Sequence, residues 1–292
     1  MDLPPPPLPR CTRHQERETG RLCTRCANPY CANCLEQVSV GSLCVDCRRA
    51  AAPSTRERVT FWNAAQPILV TKILIALNIA VFFWVLAGDF DYATGSGVGP
   101  RARDIALFGP LVDNGEWYRI ITSGFLHFGL LHIGMNMFLL FQLGSILETG
   151  VGRGRYLLVY VASLFGGAAG ALLLDPTSFS GGASGAVFGL MATAVVALKL
   201  SGVNPWRTGL GMTLVINLVI TFAIPGISIG GHIGGMLAGF VCGWALYAPN
   251  AAVTRLRWDM SREQAKAVSI LVPTLVIGVA FVLCLAGAAQ TY

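Results

Sequence analysis

Apolar residues in this chain gather into long unbroken runs rather than recurring at helical or strand spacing. Charge-free runs cover 73–88, 120–147, 156–174, 176–198, 208–254 and 267–292. About 20 apolar residues cross a hydrocarbon core, so 208–254 is too long for one span. Pro225-Gly226 falls in its middle and marks a break. The pattern therefore predicts seven transmembrane helices, at about 68–87, 119–147, 156–174, 184–200, 208–224, 229–247 and 268–288. Before residue 66 the pattern is different: Arg, Cys and Pro dominate and no apolar run appears.

Composition agrees with a membrane protein. The 292 residues are 54% hydrophobic and 12% charged, with a mean hydropathy of +0.60, whereas a soluble domain carries about 25% charged residues. A soluble globular enzyme, a disordered protein and a disulfide-stapled secreted domain are excluded. The net charge of +6 comes from Arg scattered over loops and forms no basic stripe, so no nucleic acid partner is expected.

The scatter of charge does set an orientation. Basic residues crowd the N-terminal arm and the loops after the second helix (Arg153, Arg155), the fourth (Lys199, Arg207) and the sixth (Arg255, Arg257, Arg262, Lys266). The alternate loops carry Arg101 and Arg103, with Arg119 at a boundary. By the positive-inside rule the N-terminus is cytoplasmic, and seven spans then put the C-terminus on the far side. The Pro-rich segment Met1–Arg10 has no apolar core of a signal peptide, so no cleaved leader is expected.

Seven of the nine cysteines lie in 11–47, in the order Cys11-x2-His14, Cys23-x2-Cys26, Cys31-x2-Cys34, Cys44-x2-Cys47. Each pair turns two soft donors toward one ion, and a structural Zn²⁺ takes four N or S ligands, so eight ligands fill two sites. Redox CxxC motifs would need a thioredoxin-like context, and disulfides conflict with a cytoplasmic arm and leave His14 without a role. A segment of this length builds little core, so metal supplies its folding energy. The spacing resembles B-box-type zinc fingers. That resemblance implies interleaved pairs, Cys11/His14 with Cys31/Cys34 and Cys23/Cys26 with Cys44/Cys47, in a binding platform for a cytoplasmic protein partner. Cys242 and Cys284 lie in apolar runs and read as buried small hydrophobes.

Polar groups inside the bilayer are costly and point to function. Three such places stand out: His127 through Asn136 in the second predicted helix, Gly182-Ala183-Ser184-Gly185 heading the fourth, and Gly231-His232 near the head of the sixth; the first and third hold all the histidines besides His14. Ser184 is a candidate nucleophile, inert unless a base takes its proton, and His232 is the natural base. Gly231, Gly235 and Gly239 make one smooth helix face, and Gly185 and Gly189 another, which allows the close approach such a pair needs. Neither helix holds Asp or Glu, so the pair would be a dyad without a carboxylate orienter. Ser184 at a helix N-terminus offers backbone donors to an oxyanion, and His132 and Asn136, at i and i+4, share a face from which both could donate. Phe188, one turn beyond Ser184, could pack on the His232 ring. Taken singly, such a serine is a packing residue and such a histidine a helix–helix hydrogen bonder; their joint occurrence on three helices carries the catalytic reading.

At these residues the chain resembles the rhomboid family of intramembrane serine proteases over about 68–247. The resemblance includes Glu116-Trp117-Tyr118-Arg119, similar to the family's Trp-Arg motif, the His127/His132/Asn136 pattern, Gly182 to Gly185, and Gly231-His232 with Gly235 and Gly239. It implies that Ser184 is the nucleophile, His232 the general base and His132 and Asn136 the oxyanion hole. It also implies supporting roles for His127, Phe188, Trp117, Arg119, Glu148, Gly182, Gly185, Gly231, Gly235 and Gly239. Glu148 sits where the family often has an acidic residue closing the second helix; Phe188 stands where many members have Tyr. The implied fold is an all-α polytopic membrane protein, a six-helix rhomboid core with a seventh C-terminal helix and a small zinc-stabilised N-terminal domain. The expected division is a Pro-rich tail at 1–10, a double zinc module at 11–47, a linker at 48–66, the protease core at 67–250, a cytoplasmic loop at 251–267 and the last helix with its tail at 268–292. The implied activity is cleavage of transmembrane protein substrates in the plasma membrane of a bacterial-type cell, with no cofactor for the chemistry. A proteolytically inactive rhomboid-like chaperone or binding protein is the alternative; such a protein would keep the fold but lose Ser or His.

Overall fold

The computed structural model describes residues 6–39, 41–88, 98–253 and 256–291. Residues 1–5 of the Pro-rich tail, Arg255 and Tyr292 lie outside the described residues. The chain divides into two units, Met1–Gln66 and Pro67–Tyr292.

The regular elements of the first unit are short. A short antiparallel hairpin, β1 (Leu35–Val38) and β2 (Gly41–Cys44), is followed by helices α1 (Val45–Ala51) and α2 (Thr55–Ala64). Leu35 pairs with Cys44 and Val38 with Gly41. The buried cluster of this unit consists of Cys11, Cys23, Tyr30, Cys31, Cys34 and Cys44, so five of its six members are thiols. Arg13 pairs with Asp46 at 3.0 Å, and Arg48 with Glu36. The segment after Cys47 is helical, with Ser54 and Glu57 forming a reciprocal N-terminal cap on α2.

The second unit is a bundle of helices. Among the described residues, five are long and apolar enough to cross a membrane: α3 (Leu69–Leu86), α7 (Leu130–Val151), α8 (Arg153–Leu174), α11 (Ile229–Tyr247, running on to Asn250 in a short 3₁₀ turn) and α12 (Arg262–Ala288). Two apolar helices are shorter, α9 (Ser184–Leu200) and α10 (Leu210–Ala223). The connection from the first span holds three short helices, α4 (Pro100–Ile105), α5 (Gly109–Asp113) and α6 (Arg119–Thr122). This is a multi-pass membrane protein with an all-helical body.

Two boundaries differ from the expectation. The apolar run 119–147 is not one helix: α6 and a 3₁₀ turn at Ser123–Phe125 precede α7, which starts at Leu130. Leu126 is extended and Gly129 takes φ +86°, a conformation that only glycine adopts cheaply, so the helix cannot run back through them. His127 therefore lies in the loop before the second span and not in it. The last helix also starts earlier than expected, at Arg262, where Ser261 and Gln264 form a capping box.

α11 lies at the centre because it has two glycine faces. Gly235 and Gly239 face the backbone of Gly185 and Gly189 on α9, while Gly230 and Gly234 face Gly170 and Gly166 on α8. A Cβ at Gly185 would sit 3.1 Å from the Gly231 carbonyl oxygen and 3.2 Å from the Cα of Gly167, so three backbones converge there. Thr193 Oγ1 donates to the Gly239 carbonyl at 2.8 Å across the same contact. α7 reaches back to start α3: the amides of Val70 and Thr71 donate to Glu148 at 2.9 and 2.8 Å, as does Thr71 Oγ1 at 2.7 Å. A buried carboxylate thus caps a helix whose first N–H groups have no partner of their own.

Candidate functional site

Ser184 is the first residue of α9, and Gly182 ahead of it takes φ +136°, which a side chain would not tolerate. Ser184 Oγ lies 2.8 Å from His232 Nε2. His232 sits one turn into α11 and is 8% exposed. The glycine contacts between α9 and α11 let a serine and a histidine meet directly from adjacent helices. The Phe188 ring stacks on the imidazole with centroids 4.2 Å apart and planes 19° from parallel.

The other ring nitrogen decides the tautomer. His232 Nδ1 is 2.6 Å from Thr221 Oγ1 on α10, and Thr221 Oγ1 is 2.7 Å from the Asn217 carbonyl. A carbonyl only accepts, so the Thr221 hydroxyl proton goes to Asn217, and Oγ1 accepts from Nδ1–H. Nε2 then carries the lone pair and faces the Ser184 hydroxyl. The sequence reading missed Thr221. A threonine in an apolar helix carries no catalytic signal, and only the α10–α11 packing brings it to the histidine.

His132 is set in the opposite sense. Its Nδ1 accepts from the Phe128 amide at 3.2 Å, which leaves the proton on Nε2. A Cβ built on Gly182 would lie 3.0 Å from that Nε2 and 3.5 Å from Ser184 Oγ, so the N–H and the hydroxyl border the same small space. Asn136, one turn along α7, is buried and donates through Nδ2 to the His132 carbonyl at 2.9 Å. His127, fully buried, accepts on Nε2 from the Ala183 amide at 3.3 Å and faces the Phe125 carbonyl through Nδ1 at 3.2 Å. It ties the loop before α7 to the residue before Ser184.

Arg119 braces the connection that precedes α6. Arg119, 4% exposed, donates to Glu116 through Nε at 2.7 Å and to the carbonyls of Arg103 and Ala106 through Nη1 at 2.6 and 2.8 Å. Hydrogen bonds from Tyr118 and Arg119 hold the Glu116 carboxyl below the usual range. Trp117 stands apart from this knot and meets Phe281 of α12 edge-on. Leu107 and Ser180 exchange two backbone hydrogen bonds, and the Gly182 amide donates to the Ser123 carbonyl at 2.8 Å. Beside Ser184 these segments leave a cleft of about 50 Å³, bordered by Leu107, Ile120, Ser123, Ser180 and Ser228.

In the first unit the eight sulfur and nitrogen ligands fall into two tetrads, Cys11/His14/Cys31/Cys34 and Cys23/Cys26/Cys44/Cys47, each with its donor atoms within 4.8 Å of one another. The interleaved pairing implied by the resemblance is the one the backbone produces. In a tetrahedral site with Zn–S bonds of about 2.3 Å the donors lie roughly 3.8 Å apart. Here His14 Nδ1 is 3.4 and 3.2 Å from the Cys31 and Cys34 sulfurs, and Cys26 Sγ is 4.0 Å from Cys44 Sγ. The donor set fits a thiophilic, four-coordinate metal ion. The Cys44 amide donates to Cys23 Sγ at 3.3 Å and draws that thiol down to about 6, whereas the Cys44 side chain pushes Cys47 up to about 12. Neighbouring thiols that cannot all ionise together are what a cation would relieve.

The family match found by comparison with known proteins falls within the helical unit. Residues 114–249 match the rhomboid domain family. The chain is similar to the rhomboid protease GluP of Bacillus subtilis (strain 168), 34% identical over 161 residues, which are 54% of this chain and 31% of that protein. It is also similar to the mitochondrial RHOMBOID-like protein 6 of Arabidopsis thaliana, 38% identical over 106 residues, 35% of this chain and 34% of that protein. A third relative, rhomboid-type serine protease 2 of Emericella nidulans, is 37% identical over 95 residues, 31% of this chain and 19% of that protein. The chain spans less than half the length of these curated relatives.

Proposed function

With residues 114–249 a rhomboid domain, we propose that the chain is an intramembrane serine endopeptidase that cuts the transmembrane segments of other membrane proteins. The observation that carries this reading is the 2.8 Å contact between Ser184 Oγ and His232 Nε2. In this reading Ser184 attacks the scissile carbonyl while His232 Nε2 takes the hydroxyl proton. The oxyanion is received by His132 Nε2–H, the second N–H of Asn136 and the backbone N–H groups heading α9. Collapse breaks the C–N bond as His232 returns its proton to the leaving amine. Water, activated by the same imidazole, then hydrolyses the acyl-serine. The cleft beside Ser184 has room for a small side chain before the cut, in keeping with its volume of about 50 Å³.

Helix length supports a buried reaction. α9 has 17 residues and reaches about 25 Å, short of a hydrocarbon core of about 30 Å. With Lys199 at the cytoplasmic boundary, Ser184 lies several ångströms below the opposite surface. In the irregular backbone at 175–183, Asp175, Thr177, Ser178 and Phe179 are exposed, while the end beside Ser184 is satisfied by protein through the Gly182 and Ala183 amides. The proposed orientation is N-terminus in and C-terminus out, in the plasma membrane. The N-terminal tetrads are read as two structural Zn²⁺ sites spanning 11–47, in a module that recruits or regulates at the cytoplasmic face. The rest of the division stands as the sequence suggests, with 67–250 as the protease core.

The test uses full-length protein purified in detergent with a single-span substrate. Wild type is expected to cleave and to be labelled by a fluorophosphonate; Ser184→Ala and His232→Ala are each expected to lose cleavage almost completely, because the pair acts as a unit. Cleavage that persists in folded Ser184→Ala protein would remove the nucleophile assignment.

A further inference from the structure

We infer that Thr221 on α10 is the positioning residue of the catalytic histidine, so that the site is a Ser184–His232–Thr221 relay assembled from three helices. The inference rests on the reading of Ser184 and His232 as nucleophile and base. Three observations carry it. Thr221 Oγ1 lies 2.6 Å from His232 Nδ1, shorter than the bond His232 makes to Ser184. Its own proton is held by the Asn217 carbonyl at 2.7 Å, so the hydroxyl faces the imidazole only as an acceptor. Thr221 is 1% exposed, so its oxygen is shielded from bulk solvent.

A histidine that is to accept a proton on Nε2 must keep its hydrogen on Nδ1. In the usual hydrolase arrangement a carboxylate enforces that tautomer and steadies the imidazolium. Here a neutral hydroxyl whose hydrogen is already committed does the first task and, through its lone pair, part of the second. Burying a carboxylate beside these helices would cost more than a hydroxyl does. The alternative tautomer, with hydrogen on Nε2, would set two acceptors, Nδ1 and Oγ1, face to face at hydrogen-bond distance.

The placement on α10 matters. The buried positions of this helix are Gly211 and Thr221, while Met212, Ile216, Val219 and Phe222 are exposed. The interior polar contact that α10 makes with α11 is therefore one that the base depends on. A displacement of α10 would release Nδ1 and weaken the base without touching Ser184.

Two substitutions separate the hydroxyl from the packing. Thr221→Val keeps the shape and removes the acceptor; Thr221→Ser keeps the acceptor and removes a methyl group. We expect Val to lower kcat about 3- to 10-fold, the size one neutral hydrogen bond provides, with KM unchanged and fluorophosphonate labelling slowed in parallel. Ser is expected to stay within about twofold of wild type on both measures. Unchanged kcat in Val, or a loss in Ser as large as that in Val, would overturn the inference and leave Thr221 a packing residue. Ser184→Ala runs alongside: activity that survives in it sinks the protease reading itself, which is a separate result from a failure at Thr221.

Discussion

His132 and His232 have the same ring and opposite hydrogen-bond settings, and the groups facing each Nδ1 tell them apart. The Phe128 amide donates to His132 Nδ1 and leaves a donor on Nε2; the Thr221 oxygen accepts from His232 Nδ1 and leaves an acceptor on Nε2. One is suited to receive an oxyanion, the other to take a proton. Asn136 is tied to the His132 carbonyl through one of its two N–H groups, which fixes the direction of the other. Asn136→Ala is expected to lower kcat about 10²-fold or more, with little change in KM, as for loss of one oxyanion donor. Steady-state kinetics on a transmembrane peptide checks it; an unchanged kcat removes Asn136 from the role.

Among the helices, α11 owes its place to missing side chains. Lipid tails are as apolar as leucine, so hydrophobicity gives helices in a bilayer little reason to associate; close backbone packing does. A Cβ at Gly239 would run into the Gly189 backbone, which cannot move aside as a flexible side chain would. Gly239→Leu should therefore force α9 and α11 apart. The expected cost is about 1–3 kcal/mol, as for overpacking elsewhere, with activity falling further than stability because the Ser184–His232 contact lengthens too. A thermal unfolding curve together with a cleavage assay tests both halves. A variant with wild-type melting and turnover would show that this helix pair has slack.

For the molecule as a whole, the two units draw on different sources of stability. The helical unit has a large apolar core around Leu140, Leu143, Leu147, Tyr156, Leu190 and Met191. The first unit has a cluster made mostly of thiols. Metal held by the two tetrads would bind such a cluster together, so a strong chelator is expected to unfold 1–66 while the helical unit keeps its helicity and its proposed cleavage of a short transmembrane substrate. Metal analysis of the full chain should give two ions, reduced to one in Cys23→Ser/Cys26→Ser. Deletion of residues 1–60 should likewise preserve cleavage in detergent. Loss of cleavage in a well-folded truncated protein would mean that the module takes part in the chemistry.

The sequence by itself settled whatever depends on local pattern. Spans announce themselves by the length of apolar runs, a metal-type module by four ligand pairs at fixed spacing, and a candidate nucleophile and base by the joint occurrence of Ser184 with histidines inside such runs. Even the facing glycines 235/185 and 239/189 were legible, because four-residue spacing puts them on one helix face. What stayed hidden depends on residues brought together from distant segments. The break before α7 looks like continuous apolar helix until the left-handed turn at Gly129 and the extended Leu126 are seen. The second glycine face of α11, toward α8, is as regular as the first, but only packing says which helix it meets. Glu148 capping α3 joins positions 77 residues apart. Thr221 is the sharpest case. An intrahelical hydrogen bond, a lipid-facing helix and a crossing with α11 together turn an ordinary hydroxyl into the acceptor that sets the tautomer of the base, and no spacing along the chain encodes that coincidence.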